Sequence, residues 1–251
     1  MTEVDSTWQP AHPVDIALEA GEVHLWLADL EVPSTLLSRL AAYLSPEESA
    51  RAARFYFARD RDHFTVAHAL LRLLLAAYCQ TAPEALRFVL NAYGKPALEA
   101  GQPQVHFNLS HSHHLALYAF THVCELGVDI EYMRGGIEHT ELAAHVFSPR
   151  ERAALDALPA ELKETGFFNA WTRKEAYIKA RGMGISLGLD RFDVSLSPDE
   201  PAALVETREE DQIASAWSMY ALHAPSGYKA ALALPAHGVS LRCWHWDQVV
   251  V

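Results

Sequence analysis

The pattern of apolar and polar positions predicts alternating helices and short strands along the chain. Residues 22–27 alternate between polar and apolar side chains, which is typical of a half-buried strand. Residues 64–79 instead carry dense apolar side chains at helical spacing, which predicts a buried helix. Two segments with the pattern Ser-Pro-x-Glu, Ser45–Glu48 and Ser148–Glu151, predict capped helix starts with proline at the first helical position.

The same order of elements occurs twice, which predicts a duplicated fold. Further strands are predicted at 88–90, 105–109, 115–121, 123–130, 192–196, 214–221 and 228–234. Further helices are predicted at 34–44, 45–54, 138–146 and 167–181 and after Ser148. We therefore predict an α+β fold of pseudo-dimeric form, with two similar subdomains at residues 1–122 and 123–251. Each subdomain would hold a small antiparallel sheet with packed helices, and a ligand would bind in the cleft between them.

Composition and charge narrow the class of protein. Half of the 251 residues are apolar and 21% are charged, as in ordinary soluble globular proteins. The net charge of −12 argues against a general nucleic-acid binder, although it leaves room for a local basic pocket. The three cysteines follow no paired pattern and indicate free thiols in a reducing compartment. No signal peptide or membrane-spanning stretch is evident, so we expect a cytoplasmic protein, and one chain holding both halves suggests a monomer.

Three carboxylates form the first candidate site. Asp129 and Glu131 are two apart on a predicted strand and therefore lie on one face, where they repel unless a cation lies between them. Glu175 and Lys179 share one face of a predicted helix, and the apolar residues beside Glu175 indicate that this face points inward. Such hard oxygen ligands suit Mg²⁺. The simpler alternatives are an ordinary acidic strand end and a solvated Glu–Lys helix pair.

Candidate phosphate ligands lie in the first half. Lys95 follows a glycine in a tight turn, and Asn108, Ser110 and His111 lie together near a predicted strand end. Arg51, on the helix after the first Ser-Pro pair, could bind a terminal phosphate as a bidentate fork. A plain hairpin turn and a solvated helix face are the alternatives. A zinc site at the nearby histidines is disfavoured because no further ligands at suitable spacing complete it.

These motifs together resemble the 4′-phosphopantetheinyl transferases of the surfactin-synthetase-activating (Sfp-like) type. The matching segments span about residues 45–196 and are, in family order, Ser45-Pro46-Glu47 with Arg51, Arg54-Phe55-Tyr56, Tyr93-Gly94-Lys95-Pro96, Phe107-Asn-Leu-Ser-His111-Ser112, Gly127-Val-Asp129-Ile-Glu131 and Trp171-Thr-Arg-Lys174-Glu175-Ala-Tyr-Ile-Lys179. The resemblance implies a pseudo-dimeric α+β fold with coenzyme A in the cleft. It also implies a bound Mg²⁺, for which Mn²⁺ is an alternative.

The resemblance assigns roles to the candidate residues. Asp129, Glu131 and Glu175 would hold the metal together with the pyrophosphate of coenzyme A, and Lys179 would meet the same phosphates. Lys95, Asn108, Ser110 and His111 would line the coenzyme A site, and Arg51 would meet its 3′-phosphate. Glu48 departs from the pattern, because some members carry lysine there, so a phosphate contact is lost and Arg51 or Arg54 would carry more of that load.

The implied reaction is the attack of a serine of an acyl or peptidyl carrier protein on the β-phosphate of coenzyme A, which releases 3′,5′-ADP. Glu175 is the preferred general base and water activated by the metal is the alternative, while Lys179 would stabilise or protonate the leaving phosphate. We place carrier docking near Phe167, Phe168 and Arg173.

Two rival functions remain open at this point. A metal-dependent phosphodiesterase acting on nucleotides would use the acids, but it leaves the combined Ser-His and Tyr-Gly-Lys-Pro segments unexplained. A non-catalytic adaptor with the same fold is disfavoured by the intact carboxylates.

Overall fold

The computed structural model of the chain describes residues 8–11, 17–134 and 139–246, which form a mixed α+β fold. The strands of this part are β1 (Gln9–Ala11), β2 (Glu22–Asp29), β3 (Phe88–Leu90), β4 (Pro96–Leu98), β5 (His106–Ser112), β6 (Leu115–Thr121), β7 (Gly127–Tyr132), β8 (Phe192–Val194), β9 (Leu204–Thr207), β10 (Ser218–Leu222), β11 (Tyr228–Leu234) and β12 (Ser240–Trp246). The helices are α1 (Ser34–Ala41), α2 (Pro46–Ala52), α3 (Ala58–Cys79), α4 (His139–Val146), α5 (Pro149–Ala157) and α6 (Ala160–Arg181). The predicted α+β class is confirmed. Residue 138, where a helix was predicted to begin, lies outside the described residues.

Two main sheets share a common order of strands. The first sheet runs β1-β12-β2-β6-β5, and the second runs β10-β11-β7. The second therefore repeats the antiparallel order β5-β6-β2 of the first. In each half, a strand is followed by helices, a short hairpin and a strand pair. This repeat supports the predicted duplication, while the division between residues 122 and 123 stays a prediction.

Strand β12 was not predicted, and it makes the first sheet mixed rather than purely antiparallel. It pairs in parallel with β2, so the last described strand of the chain returns to the first sheet. Trp244 of β12 stacks on Trp26 of β2 with ring centroids 5.4 Å apart. Parallel pairing joins segments far apart in sequence, so no local turn signal announces it.

Both helices with the Ser-Pro-x-Glu pattern begin with a reciprocal cap. The Ser45 hydroxyl accepts from the Glu48 N–H at 3.1 Å, and the Glu48 carboxylate accepts from the Ser45 N–H at 2.8 Å. Ser148 and Glu151 repeat the arrangement at 3.2 and 2.9 Å. The predicted capped starts of α2 and α5 are therefore confirmed by their hydrogen bonds.

Each capping glutamate also forms an ion pair with a buried cation on the following long helix. Arg72 Nε of α3 donates to Glu48 Oε2 at 2.6 Å, and Lys174 Nζ of α6 donates to Glu151 Oε1 at 2.7 Å. Lys174 and Glu151 are 0% and 1% exposed. Each cation also lies over the phenylalanine ring that opens the next hairpin, at 5.0 and 4.3 Å from the centroid. The two halves thus share one internal frame of cap, ion pair and aromatic ring.

The long helices cover the sheets. Helix α3 packs on the first sheet, α6 packs on the second, and a third apolar cluster fills the space between the sheets. Phe167, Phe168 and Arg173 are only 2%, 5% and 3% exposed, so the predicted docking patch at these residues is wrong. Aromatic residues at helical spacing here form core, and the Arg173 guanidinium donates to the Ser195 carbonyl at 2.6 Å. Within the described ranges, each helix is too short or too polar to cross a membrane.

Candidate active site at the seam between the sheets

Polar side chains of β5 join the two sheets. Asn108 Oδ1 accepts from the N–H of Val128 at 2.9 Å, and the hydroxyls of Ser110 and Ser112 accept from the next alternate N–H groups of β7 at 3.4 and 3.1 Å. The opposite edge of β7 pairs with β11, so these side chains satisfy backbone donors that would otherwise be unpaired. We call this line of contacts between β5 and β7 the seam.

The polar residues of the seam lie within a strand and not in the predicted connection after it. We expected the strand to end at Leu109 and residues 110–114 to form the connection, but β5 continues to Ser112. Polar residues extend the strand here because their side chains meet another strand and not solvent. Asn108 and Ser110 therefore hold the site together in addition to any contact with a ligand.

Asp129 lies at the centre of the seam. It is 2% exposed, and its Oδ1 accepts from the Ser110 hydroxyl at 2.8 Å and from the Lys179 ammonium at 2.6 Å. The ammonium also donates to Ser110 at 2.8 Å. Burial raises the pKa of Asp129, and the nearby Lys179 opposes that rise. Its second oxygen, Oδ2, is buried and has no hydrogen-bond partner among the described residues.

Glu131 and Glu175 complete the acidic group. Glu131 accepts from the Ser112 hydroxyl at 2.7 Å and from the Trp171 indole at 3.4 Å. Burial raises the pKa of Glu131 and of Glu175, and the negative charge of Asp129 raises both further. The predicted convergence of helix and strand therefore brings the three carboxylates close enough to repel one another.

Gly127 allows this convergence. A Cβ atom at this position would lie 2.1 Å from the Ala176 carbonyl oxygen and 2.3 Å from the Ala180 amide nitrogen. The backbone of α6 therefore lies directly on the start of β7, two residues before Asp129. Only glycine permits such an approach, and the contact sets the height of Glu175 and Lys179 above the strand.

The carboxylate oxygens are suitable ligands for a divalent cation, although they are not arranged as a complete coordination site. In the part of the chain that the structure describes, no three His, Cys, Asp or Glu side chains are grouped as metal ligands. Lys179 already places one positive charge on Asp129 Oδ1. Carboxylate oxygens, among them the buried and unpaired Oδ2 of Asp129, are donor atoms of the kind that Mg²⁺ prefers. The residues therefore fit the predicted metal by their donor atoms.

Lys95 lies at a contact between the two halves of the chain. Its ammonium donates to Glu125 at 2.5 Å and to the carbonyls of Leu126 and Ala180 at 3.1 and 3.3 Å. The turn that carries it thus packs on the carboxyl end of α6, where a cation is stabilised by unpaired carbonyls. Lys95 ties the two halves together, and its role toward coenzyme A stays a prediction.

Arg51 and His111 are the two remaining predicted phosphate ligands of the first half. The Arg51 guanidinium lies 5.1 Å from the centroid of the Phe64 ring. Partial burial lowers the pKa of His111, and the positive charge of Lys179 lowers it further. His111 is therefore close enough to Lys179 to feel its charge, whereas Arg51 of α2 contacts Phe64 of α3.

Several residues of the site were missed at the level of sequence. Ser112 and Trp171 stood in quoted motifs without a role, and both donate to Glu131. Ser112 could have been found from the Asn-x-Ser-x-Ser alternation, which matches the Asp-x-Glu alternation of β7. Lys174 lies beside Glu175 in the sequence but points away, into its buried pair with Glu151.

Comparison with known proteins agrees with this geometry. Residues 33–122 match the family model described as 4′-phosphopantetheinyl transferase, N-terminal, and residues 125–233 match that of the 4′-phosphopantetheinyl transferase superfamily. The chain is 40% identical to the 4′-phosphopantetheinyl transferase HetI of Nostoc over 96% of this chain and 98% of that protein. It is 33% identical to the 4′-phosphopantetheinyl transferase Sfp of Bacillus subtilis, over 64% of this chain and 70% of that protein. The human L-aminoadipate-semialdehyde dehydrogenase-phosphopantetheinyl transferase is 30% identical over 62% and 53% of the respective chains. The chain therefore belongs to the 4′-phosphopantetheinyl transferase superfamily.

Proposed function

We propose that this chain transfers the 4′-phosphopantetheine group of coenzyme A to a serine of an acyl or peptidyl carrier protein and releases 3′,5′-ADP. Family membership supports the reaction. The observation that carries it in this chain is the meeting of Lys179, Ser110 and Asp129 at the seam, beside Glu131 and Glu175. A lysine in direct contact with one of several buried carboxylates suits a bound pyrophosphate with its metal, because it supplies positive charge beside the acids.

Asp129, Glu131 and Glu175 would hold the metal, which we propose to be Mg²⁺, with Mn²⁺ as an alternative. The buried, unpaired Oδ2 of Asp129 supports this assignment, since a buried carboxylate oxygen needs a partner. When bound, the cation would offset the negative charge of the pyrophosphate.

The side chains of the site would each assist one part of the transfer. The serine oxygen forms a bond to the β-phosphorus while the bond to the leaving phosphate oxygen breaks, and the 3′,5′-ADP leaves with that electron pair. Glu175 would accept the serine proton, since its carboxylate has no hydrogen-bond donor within the described ranges. Lys179 would stabilise the negative charge on the leaving phosphate. Arg51, Lys95, Asn108, Ser110 and His111 are proposed to bind coenzyme A.

We also propose a cytoplasmic location and a monomeric state. Cys79, Cys124 and Cys243 are free thiols, which supports a reducing compartment. Both halves of the site come from one chain, which supports a monomer.

A direct assay tests the proposed reaction. The protein is mixed with Mg²⁺, coenzyme A and an apo carrier protein, and the carrier is weighed by mass spectrometry. We expect the carrier to gain one phosphopantetheine group. Cleavage of coenzyme A without carrier would indicate the phosphodiesterase, and no reaction at all would indicate the adaptor.

Matched variants test the roles of the acids. Asp129→Asn and Glu175→Gln should nearly abolish transfer while the protein stays folded. Glu161→Gln removes an exposed carboxylate from the same helix and should leave transfer unchanged. Wild-type turnover by either site variant at saturating Mg²⁺ would contradict the metal assignment.

A further inference from the structure

Lys229, near the start of β11, is a partly buried lysine to which the described residues offer no hydrogen bond and no ion pair. By contrast, Lys95, Lys174 and Lys179 each form an ion pair with a carboxylate. Burial lowers the pKa of Lys229, and the positive charge of Arg173 lowers it further. Burying a cation without a counter-charge is unfavourable, so an anion from outside the chain would stabilise this side chain.

Lys229 lies beside the carboxylates of the candidate active site. It is the register partner of Glu131 on the neighbouring strand β7, so the two side chains lie on the same face of the sheet. Ala231 and Ala233, the next alternate residues of β11, pack in the cluster with α6, so this face is the one that α6 covers. A substrate that meets Glu131 therefore also comes near Lys229.

Glu131 does not serve as the counter-charge of this lysine. Its Oε2 accepts from the Ser112 hydroxyl at 2.7 Å, and its Oε1 accepts from the Trp171 indole at 3.4 Å. The nearby guanidinium of Arg173 donates to uncharged oxygens and, within the described part of the chain, forms no ion pair. Two neighbouring cations thus lie beside the carboxylate site without a carboxylate in contact with either.

The order of the strands distinguishes two sides of the carboxylate site. Strand β5 lies along one edge of β7 through the seam, and β11 pairs with the other edge. The residues of β5 that we propose to bind coenzyme A, Asn108, Ser110 and His111, lie on the seam side. Lys229 lies on the opposite side. Within the proposed function, that side is left for the second substrate, the carrier protein.

We propose that Lys229 binds an aspartate or glutamate of the carrier protein close to the acceptor serine and so contributes to the choice of acceptor. The proposal rests on the proposed function. A folded substrate holds its carboxylate at a fixed distance from its serine, so one ion pair can select the carrier and orient the serine. The chain has a net charge of −12 and offers little long-range attraction to an acidic partner, so a local cation matters more.

Steady-state kinetics with both substrates test the proposal. For Lys229→Met, the KM for the carrier should rise about 10- to 100-fold, the range of a hydrogen bond to a charged group. The KM for coenzyme A and the kcat should stay within about threefold, the same margin being too small to count as a lost charged contact. Lys229→Arg keeps the charge and should restore most of the carrier affinity. Arg39→Gln removes an exposed positive charge from α1 and should change none of these values.

The other kinetic outcomes overturn the proposal. A rise in the KM for coenzyme A alone would place Lys229 on the donor substrate. A lower kcat with both KM values unchanged would make Lys229 a residue that only positions Glu131. Unchanged values throughout would remove Lys229 from the site.

Stability separates a binding role from a structural one. Because the ammonium has no partner among the described residues, Lys229→Met should unfold at the same urea concentration as the wild type or at a higher one. A lower urea midpoint would show that the lysine supports the fold, and the change in carrier KM would then no longer support a direct contact.

Double-mutant cycles with the carrier identify the partner acid. Each Asp or Glu near the acceptor serine is replaced by Asn or Gln. One replacement should raise the carrier KM about as much as Lys229→Met does and add little to it when both changes are present. Effects that add fully for every acid would contradict the ion pair.

Binding of the apo carrier, measured by titration calorimetry, distinguishes the two proposals. If the wild type transfers nothing to any carrier, the proposed function fails, and weaker carrier binding by Lys229→Met would still support the lysine contact. If the wild type modifies the carrier and Lys229→Met keeps the wild-type carrier KM, the lysine contact alone fails.

Discussion

Replacing Gly127 with alanine tests whether the close contact of α6 with β7 builds the active site. The new Cβ would lie 2.1 Å from the Ala176 carbonyl oxygen and 2.3 Å from the Ala180 nitrogen, both backbone atoms of the helix. Ordinary contacts require more than 3 Å, so the helix must move by about 1 Å or more, and overpacking of this kind costs about 1–3 kcal/mol. Because α6 carries Glu175 and Lys179, a shift of about 1 Å should also lower turnover about 100-fold.

The assay compares Gly127→Ala with a second glycine substitution on α6 itself. A Cβ at Gly166 would meet only side chains, first the Leu158 Cδ1 atom at 2.4 Å, which can rotate away. Gly166→Ala should therefore keep wild-type turnover. Urea unfolding gives the change in stability, and carrier modification gives the rate. If Gly127→Ala keeps both turnover and unfolding free energy, α6 does not set the site geometry through this contact.

Three further predictions concern charges. Lys174→Met leaves the buried Glu151 carboxylate unpaired and should lower the free energy of unfolding by about 3–5 kcal/mol in urea titration; a loss below about 1 kcal/mol would contradict the buried pair. Burial alone would raise the pKa of Glu48, but the adjacent His68 ring and the hydrogen bond from Arg72 outweigh burial and lower the pKa from 4.5 to about 2. The stabilisation of the fold by ionised Glu48 should thus be complete above about pH 4.5 and be lost as the pH falls toward about 2. The loss should be about 2 kcal/mol after allowance for solvent screening. Glu48→Gln should therefore flatten the acid limb of a plot of Tm against pH. Lys179→Ala should lower kcat more than it raises the KM for coenzyme A in steady-state assays, and an unchanged kcat would remove Lys179 from the reaction.

Local chemistry explains what could be predicted from the sequence. The caps at Ser45 and Ser148 depend on residues three positions apart, and both formed as predicted. The shared face of Asp129 and Glu131 follows from strand geometry alone. The inward-facing side of the helix that carries Glu175 follows from helical periodicity. Each of these features is set within a few residues, so pattern and propensity suffice.

Features that join distant segments could not be predicted in this way. The sequence predicted that Ser110 and Asn108 face a ligand at a strand end. Their contacts with β7 could not be predicted, because no local signal shows that β7 lies beside them. The contacts of Lys95 with Glu125 and with a helix end 85 residues later could not be predicted either, because no local signal brings these segments together. We predicted that Phe167 lies at the surface near the carrier. Its burial could not be predicted, because burial depends on which elements pack together.

The duplicated frame shows which half supplies the acids of the candidate site. In α6, the site acid and the site lysine follow the buried Lys174 by one and five positions. In α3, the same positions after the buried arginine hold Leu73 and Ala77. Acidic groups at these positions of both long helices would add negative charge to the protein and repel the phosphates of a nucleotide. Apolar residues at the equivalent positions of α3 avoid that repulsion, so the acids at the seam all come from the second half.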